Sequence, residues 1–207
     1  QNEEPKYRSP LTEIGVNASV GDYVLAIDGE PLVGSDNPYR LLQNKTAPVA
    51  LKLSKDGGEE GAWTTVYKPI ASEDSLRYLD FVLDRQRRVE KASDGRLGYI
   101  HIPDMGANGA YEFIKWYYPQ RGKEGIVIDE RNNGGGNISP WIIMRLNQEV
   151  LGTRYGKLIE QPTTYPTIAC AATLVCLMNE TSASDGDIFP HYFRKAGLGK
   201  LVGKRSW

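Results

Sequence analysis

Net charge is almost absent from this sequence: 25 Lys and Arg stand against 26 Asp and Glu in 207 residues, which leaves −1. A chain so balanced presents no field that would gather nucleic acid or an acidic membrane surface. Long apolar runs are missing too. None approaches the roughly 18 to 20 residues of a bilayer-spanning helix, and no basic-then-apolar leader opens the chain. The expectation is a soluble protein with neither nucleic acid nor membrane as partner. Gln1 is not a methionine, so the amino terminus is expected to be a processed end or a boundary that a targeting signal could have preceded. Cysteine is scarce, Cys170 and Cys176 being the two in the chain. Six residues of extended strand separate them by about 20 Å, beyond disulfide reach. Both are therefore read as buried thiols, in keeping with a reducing, cytoplasmic setting; a signal peptide ahead of Gln1 would make it periplasmic. Internal repeats and low-complexity tracts are also absent.

What is present changes character near residues 70 to 96. In VGDYVLAIDGEPL (20–32), Tyr23, Leu25 and Ile27 alternate with Val24 and Ala26 before an Asp28-Gly29 turn, a hairpin signal. A short helix is expected over 37–43, strands over Val49 to Ser54 and Trp63 to Tyr67, and a loop tip at KDGGEEG (55–61). Residues 71–96 form a charge-dense connecting segment with Leu76, Leu79, Val82 and Leu83 at helical intervals. From residue 97 strands and helices alternate. Strands are expected at LGYIHI (97–102), GIVID (125–129) and TLVCLM (173–178), the last buried on both faces. Helices are expected over 109–118, carrying Tyr111, Ile114 and Tyr118, and after Ser139 as cap, with Ile142, Ile143, Leu146 and Val150 as a buried stripe. A third runs from Asp185 to Lys195 with Ile188, Tyr192 and Ala196 at helical spacing, and Gly197 ends it. Such alternation predicts a mainly parallel sheet covered by helices, with functional residues in loops at the carboxyl ends of strands.

Two of those loops carry chemistry. NETSASDGDIFP (179–190) places Ser184 between a strand end and a helix start. A nucleophile would stand there, exposed and close to the positive end of the helix dipole. An ordinary helix cap fits the same residues, and on this segment alone it is the favoured reading. ERNNGGGN (130–137) offers three consecutive glycines whose amides can face a cavity, as an oxyanion site or phosphate cradle requires. It lacks the lysine of a P-loop and the spacing of a dinucleotide fingerprint. Adjacent parallel strands would bring the two loops together.

Four segments, GRLGYIHIPDM (95–105), GIVIDERNNGGG (125–136), TSASDGDIFP (181–190) and GLGKLVGKRSW (197–207), resemble in order and spacing the tricorn-type branch of the carboxy-terminal processing serine peptidases. VGDYVLAIDG resembles the second half of that family's inserted PDZ module, and SPLTEIG (9–15) the short helix before it. The resemblance implies a mixed α/β protein. It comprises a partial PDZ-like β module at 1–70, the connection at 71–96, and an α/β catalytic core of the ClpP/crotonase type at 97–207. It also implies a serine peptidase acting on peptides or unfolded polypeptides, without metal or other cofactor, and a homo-oligomeric full-length protein. Ser184 becomes the nucleophile. The amides of Asp185 and of Gly136 or Gly135 become the oxyanion hole, and Arg154, in GTRY (152–155), borders a weakly defined specificity pocket that would not favour basic side chains.

The same resemblance places the family's base histidine ahead of Gln1 and its supporting glutamate beyond Trp207. This chain alone is accordingly expected to show no peptidase activity. His101 reads as a sheet histidine, and His191 lies about 10 Å along a helix from Ser184, too far to serve as base. Asp187 is expected to support the helix amino end. QNEEPKYR (1–8) carries no strand pattern, so the module is read as incomplete. A degenerate peptidase acting as a peptide-binding scaffold is the alternative; an acyl-CoA enzyme of crotonase type would leave the PDZ half and the serine turn unexplained.

Overall fold

Asp28 and Gly29 take φ values of 49° and 83°, the geometry of a turn whose twist matches the strands it joins. Those strands are β1 (Tyr23–Ile27) and β2 (Glu30–Pro31). The Asp28 carboxylate fixes the turn from outside, accepting from the Ala50 amide at 2.9 Å and from Lys45 Nζ at 2.6 Å. In the computed structural model, which describes residues 7–157 and 162–206, β1 also pairs antiparallel with β3 (Val49–Ser54), and β3 with β4 (Trp63–Tyr67). The sheet order is β2-β1-β3-β4. Alternation along β3 buries Val49, Leu51 and Leu53, which form a core with Ile27. Leu11, from a 3-10 turn at Pro10–Thr12, packs on that core with Leu32 and Trp63. The expected helix at 37–43 is the shorter α1 (Tyr39–Leu42). Most of the uncharacteristic leading segment, residues 1–6, lies outside the described residues.

Contacts divide the chain into units 1–81 and 82–207, the boundary falling inside α2 (Asp74–Ala92). The second unit holds a four-stranded sheet in the order β10-β9-β6-β5. Its strands are β5 (Leu97–His101), β6 (Gly125–Asp129), β9 (Thr173–Met178) and β10 (Gly199–Gly203). All three pairings are parallel, so the carboxyl ends of the strands share one edge. With the antiparallel sheet before it, the chain is a mixed α/β protein. β9 departs from the expectation of full burial: Leu174 and Cys176 are buried, while Val175 and Leu177 are only half-buried. Cys170 is half-buried as well, and both cysteines are free thiols.

Helices α3 (Ala107–Gln120), α4 (Ser139–Leu146) and α5 (Asp185–Lys195) cover this sheet. On α3 and α5 the buried faces are not the ones the spacing singled out. On α3, Phe113 and Tyr117 are buried and stack at 4.8 Å, while Tyr111 and Ile114 are exposed. On α5, Phe189, Pro190 and Phe193 are buried, while Ile188 and Tyr192 are exposed. Each of these helices carries two apolar stripes. The sheet selects the one containing phenylalanine, which buries the larger aromatic surface. α4 buries Ile142 and Leu146 as expected but ends there, leaving Val150 exposed. Gly197, with φ of 70°, closes α5 as anticipated, its amide donating to the Arg194 carbonyl at 3.0 Å.

Candidate active site

The segments that follow β5, β6 and β9 meet at the carboxyl edge of the parallel sheet. The second wraps the first: Met105 bridges to Gly136 as a single parallel pair, its amide donating to the Gly135 carbonyl at 2.8 Å. Its carbonyl accepts from the amides of Asn137 at 2.7 Å and Ile138 at 3.1 Å. This approach leaves no room for a side chain at position 136, where a Cβ would lie 2.0 Å from the Met105 oxygen. Gly135 faces the serine turn. A Cβ there would stand 2.7 Å from Ser184 Cβ and 3.0 Å from the Asp185 nitrogen, so the glycine loop and the serine turn are in contact.

Ser184 itself has φ of 56° and ψ of −126°, a conformation sparsely populated by residues with a side chain, which costs about 1–3 kcal/mol. It flanks α5 without capping it: its side chain makes no cap hydrogen bond and is exposed. The ordinary-cap reading therefore fails, because a capping hydroxyl would turn back onto the amides of the first turn. What engages α5 is the Ser184 carbonyl, which accepts from the Asp187 and Ile188 amides, each at 3.0 Å. Among the described residues, no acceptor bonds the backbone amides of Asp185 or Gly136. The Gly135 amide, in contrast, donates to Asn133 Oδ1 at 2.9 Å. The geometry thus separates the two glycines: Gly136 has an available donor, and Gly135 supplies space.

Asn133, which was not anticipated, is the fully buried centre of this arrangement. Its Nδ2 donates to the Ile102 carbonyl at 3.0 Å, and its own carbonyl accepts from the Ala183 amide at 3.0 Å. The same carbonyl lies where a Cβ on Gly186 would come within 2.3 Å. One side chain and one peptide group therefore join β5, the glycine loop and the serine turn. Outside them Asn132, in the left-handed region at φ of 64°, makes a reciprocal pair with Asn179. The Asn132 amide donates to Asn179 Oδ1 at 2.9 Å, and Asn179 Nδ2 returns a bond to Asn132 Oδ1 at 2.8 Å. The one sequence signal for these roles is the doubled asparagine before the glycines, since asparagine tolerates positive φ.

Acidic side chains tie the site together. The Asp185 side chain is buried and accepts from Ser139 Oγ at 2.5 Å and the Ser139 amide at 3.0 Å. Ser139 is thus the first residue of α4 and not its cap; the helix start is satisfied by a carboxylate from α5. Asp187 stands in the first turn of α5, where its charge supports the helix end as expected, and it also accepts from Ser206 Oγ at 2.5 Å, tying α5 to the segment after β10. Asp129, buried at the end of β6, is held below the ordinary carboxylate range: although burial opposes ionisation, a bidentate Arg131 and the Tyr99 hydroxyl outweigh it.

Neither histidine joins Ser184. His101 is buried on β5, burial holds it below its ordinary value, and the charged groups acting on it are Asp129, Arg131 and Glu112. His191 is exposed on α5, edge-on to the Tyr192 ring. Arg154 lies on a two-stranded ribbon, β7 (Gly152–Arg154) against β8 (Thr163–Tyr165), where a loop was expected. It is exposed, with its guanidinium over the Tyr165 ring at 5.0 Å. Among the described residues, no three His, Cys, Asp or Glu side chains converge as a metal ion would require, and no helix is long and apolar enough to cross a membrane.

Comparison with known proteins bears directly on this site. Residues 96–207, which include both loops, match the profile of peptidase family S41. The chain belongs to peptidase family S41. Residues 1–72 match the tricorn protease PDZ domain. Over the whole chain, the sequence is 36% identical to tricorn protease homolog 1 of Streptomyces coelicolor, covering 19% of that protein. Over 97% of the chain it is 37% identical to the tricorn protease of Thermoplasma acidophilum, covering 18%. A crystal structure of the tricorn protease superposes on 99% of this S41 chain with a TM-score of 0.89 and 34% identity, covering 20% of that structure. The chain thus spans about a fifth of the length of these relatives.

Proposed function

We propose that this chain is the part of a serine peptidase that carries the nucleophile, Ser184, and the oxyanion donors, the amides of Asp185 and Gly136. The observation that supports it most is local. An exposed serine, held in a strained conformation with no cap bond from its side chain, stands against the glycine loop, and among the described residues the amides of Asp185 and Gly136 beside it are unengaged. A peptide carbonyl attacked by Ser184 Oγ would develop its negative charge near those two amides. Donors preorganised in this way contribute about 3–4 kcal/mol each to the transition state. The substrates are peptides or unfolded polypeptides. Residues 1–70 form a PDZ-like module joined by 71–96 to the catalytic core at 97–207, and the full-length protein is a cytoplasmic homo-oligomer.

The proton of Ser184 requires a base. With His101 buried among Asp129, Arg131 and Glu112, and His191 on the exposed face of α5, that base comes from outside the described residues. The isolated chain accordingly shows no hydrolysis of an unstructured peptide, since loss of a triad member typically removes several powers of ten in rate. The deciding experiment treats the full-length protein with a serine-directed electrophile and maps the adduct by mass spectrometry. Modification of Ser184 is expected, and modification of a different serine overturns the assignment.

A further inference from the structure

Glu130 follows β6, is completely buried, and among the described residues neither of its carboxyl oxygens has a hydrogen-bond partner. Its main chain is fully engaged. The amide donates to the Leu177 carbonyl of β9 at 3.0 Å, and the carbonyl accepts from the Asn133 amide at 3.1 Å and from Ser182 Oγ at 3.0 Å. The residue therefore stands where β9, the glycine loop and the serine turn join.

A carboxylate in that place would have no cation to answer it. The charged groups acting on it are Asp129 from its own segment and Asp187 from the first turn of α5, both acidic. On β9 the third titratable neighbour is Cys176, whose thiol burial pushes up. Arg131, the adjacent cation, is bound to Asp129. The Ser182 hydroxyl is the one neighbour that would favour the ionised form, but its proton is directed at the Glu130 main-chain carbonyl at 3.0 Å and not at the carboxyl. Burial dominates, and the Glu130 carboxyl is pushed up to about 9.

We propose that Glu130 is the positioning residue of the serine turn: its neutral carboxyl keeps the junction of β9, glycine loop and turn closed, and its ionisation opens that junction. The consequence for catalysis rests on the reading of Ser184 as nucleophile; the opening itself does not. The folded chain binds the Glu130 proton more tightly than the unfolded chain does. Its contribution to stability is therefore complete below the ordinary glutamate value of 4.5 and is lost as pH rises towards 9.

The test compares this chain with Glu130→Gln and Glu130→Leu, two uncharged side chains of similar size, in urea unfolding and amide exchange between pH 6 and 8. One proton of linkage changes the unfolding constant about tenfold per pH unit, so wild type should lose about hundredfold relative to both variants across that window. Exchange at residues 179–187, corrected for intrinsic base catalysis, should accelerate with pH in wild type and not in the variants. Parallel pH curves in all three proteins overturn the proposal. So does failure of both variants to fold at pH 6, because an uncharged side chain of this size is what the junction is said to need. Labelling of a serine other than Ser184 in the full-length protein, with the pH difference intact, removes the catalytic consequence and leaves the switch.

Discussion

Ser184 occupies a backbone geometry that glycine adopts more easily, at φ of 56°. Its hydroxyl makes no compensating bond, so the strain is not repaid within the turn. Ser184→Gly should relieve it, set against the extra freedom glycine gives the unfolded chain. The expected net gain is about 1 kcal/mol in urea unfolding. Ser184→Ala, which keeps the side-chain constraint, should stay within about 0.5 kcal/mol of wild type. A glycine variant less stable than the alanine one would show that this backbone is unstrained. The pattern would also be that of a site that keeps a costly conformation for the sake of activity.

At the scale of elements, the informative disagreement concerns helix phase. Ile188 and Tyr192 satisfy helical spacing as well as Phe189 and Phe193 do, and periodicity alone has no means of ranking the two stripes. The sheet ranks them by what each buries. Phe189→Ala should therefore cost about 3–5 kcal/mol, whereas Ile188→Ala on the exposed face should cost under about 1 kcal/mol, both read from denaturant midpoints. Equal losses would mean that α5 is rotated from the orientation described. Elements whose residues are decided locally were legible: the Asp28-Gly29 hairpin, the alternation of β3 and the Gly197 stop each follow from chain-local chemistry. So was the meeting of the glycine and serine loops, because parallel order puts both at one sheet edge. The roles of Asn133, Asp185 and Glu130 were not, since each depends on partners that only the assembled sheet brings near. Asp185 satisfies the start of a helix 46 residues earlier in the chain, and no spacing rule reaches that far.

Considered whole, the second unit places its reactive surface and a fully buried thiol on the same strand system. Cys176 lies opposite Ile128 on one side and Leu201 on the other, at the middle of the parallel sheet. It is fully buried, and burial pushes its thiol up. Cys170, half-buried in the loop before β9, is the natural control. Alkylation needs both access and thiolate, so reagent should capture Cys170 from the native protein well before Cys176. Equal rates, followed by mass spectrometry, would contradict the burial described. Because no third cysteine competes for reagent, the slower of the two reactions is a clock. Each Cys176 captured marks one opening of the sheet that supports Ser184, so the breathing of this unit can be timed without a substrate and without catalysis.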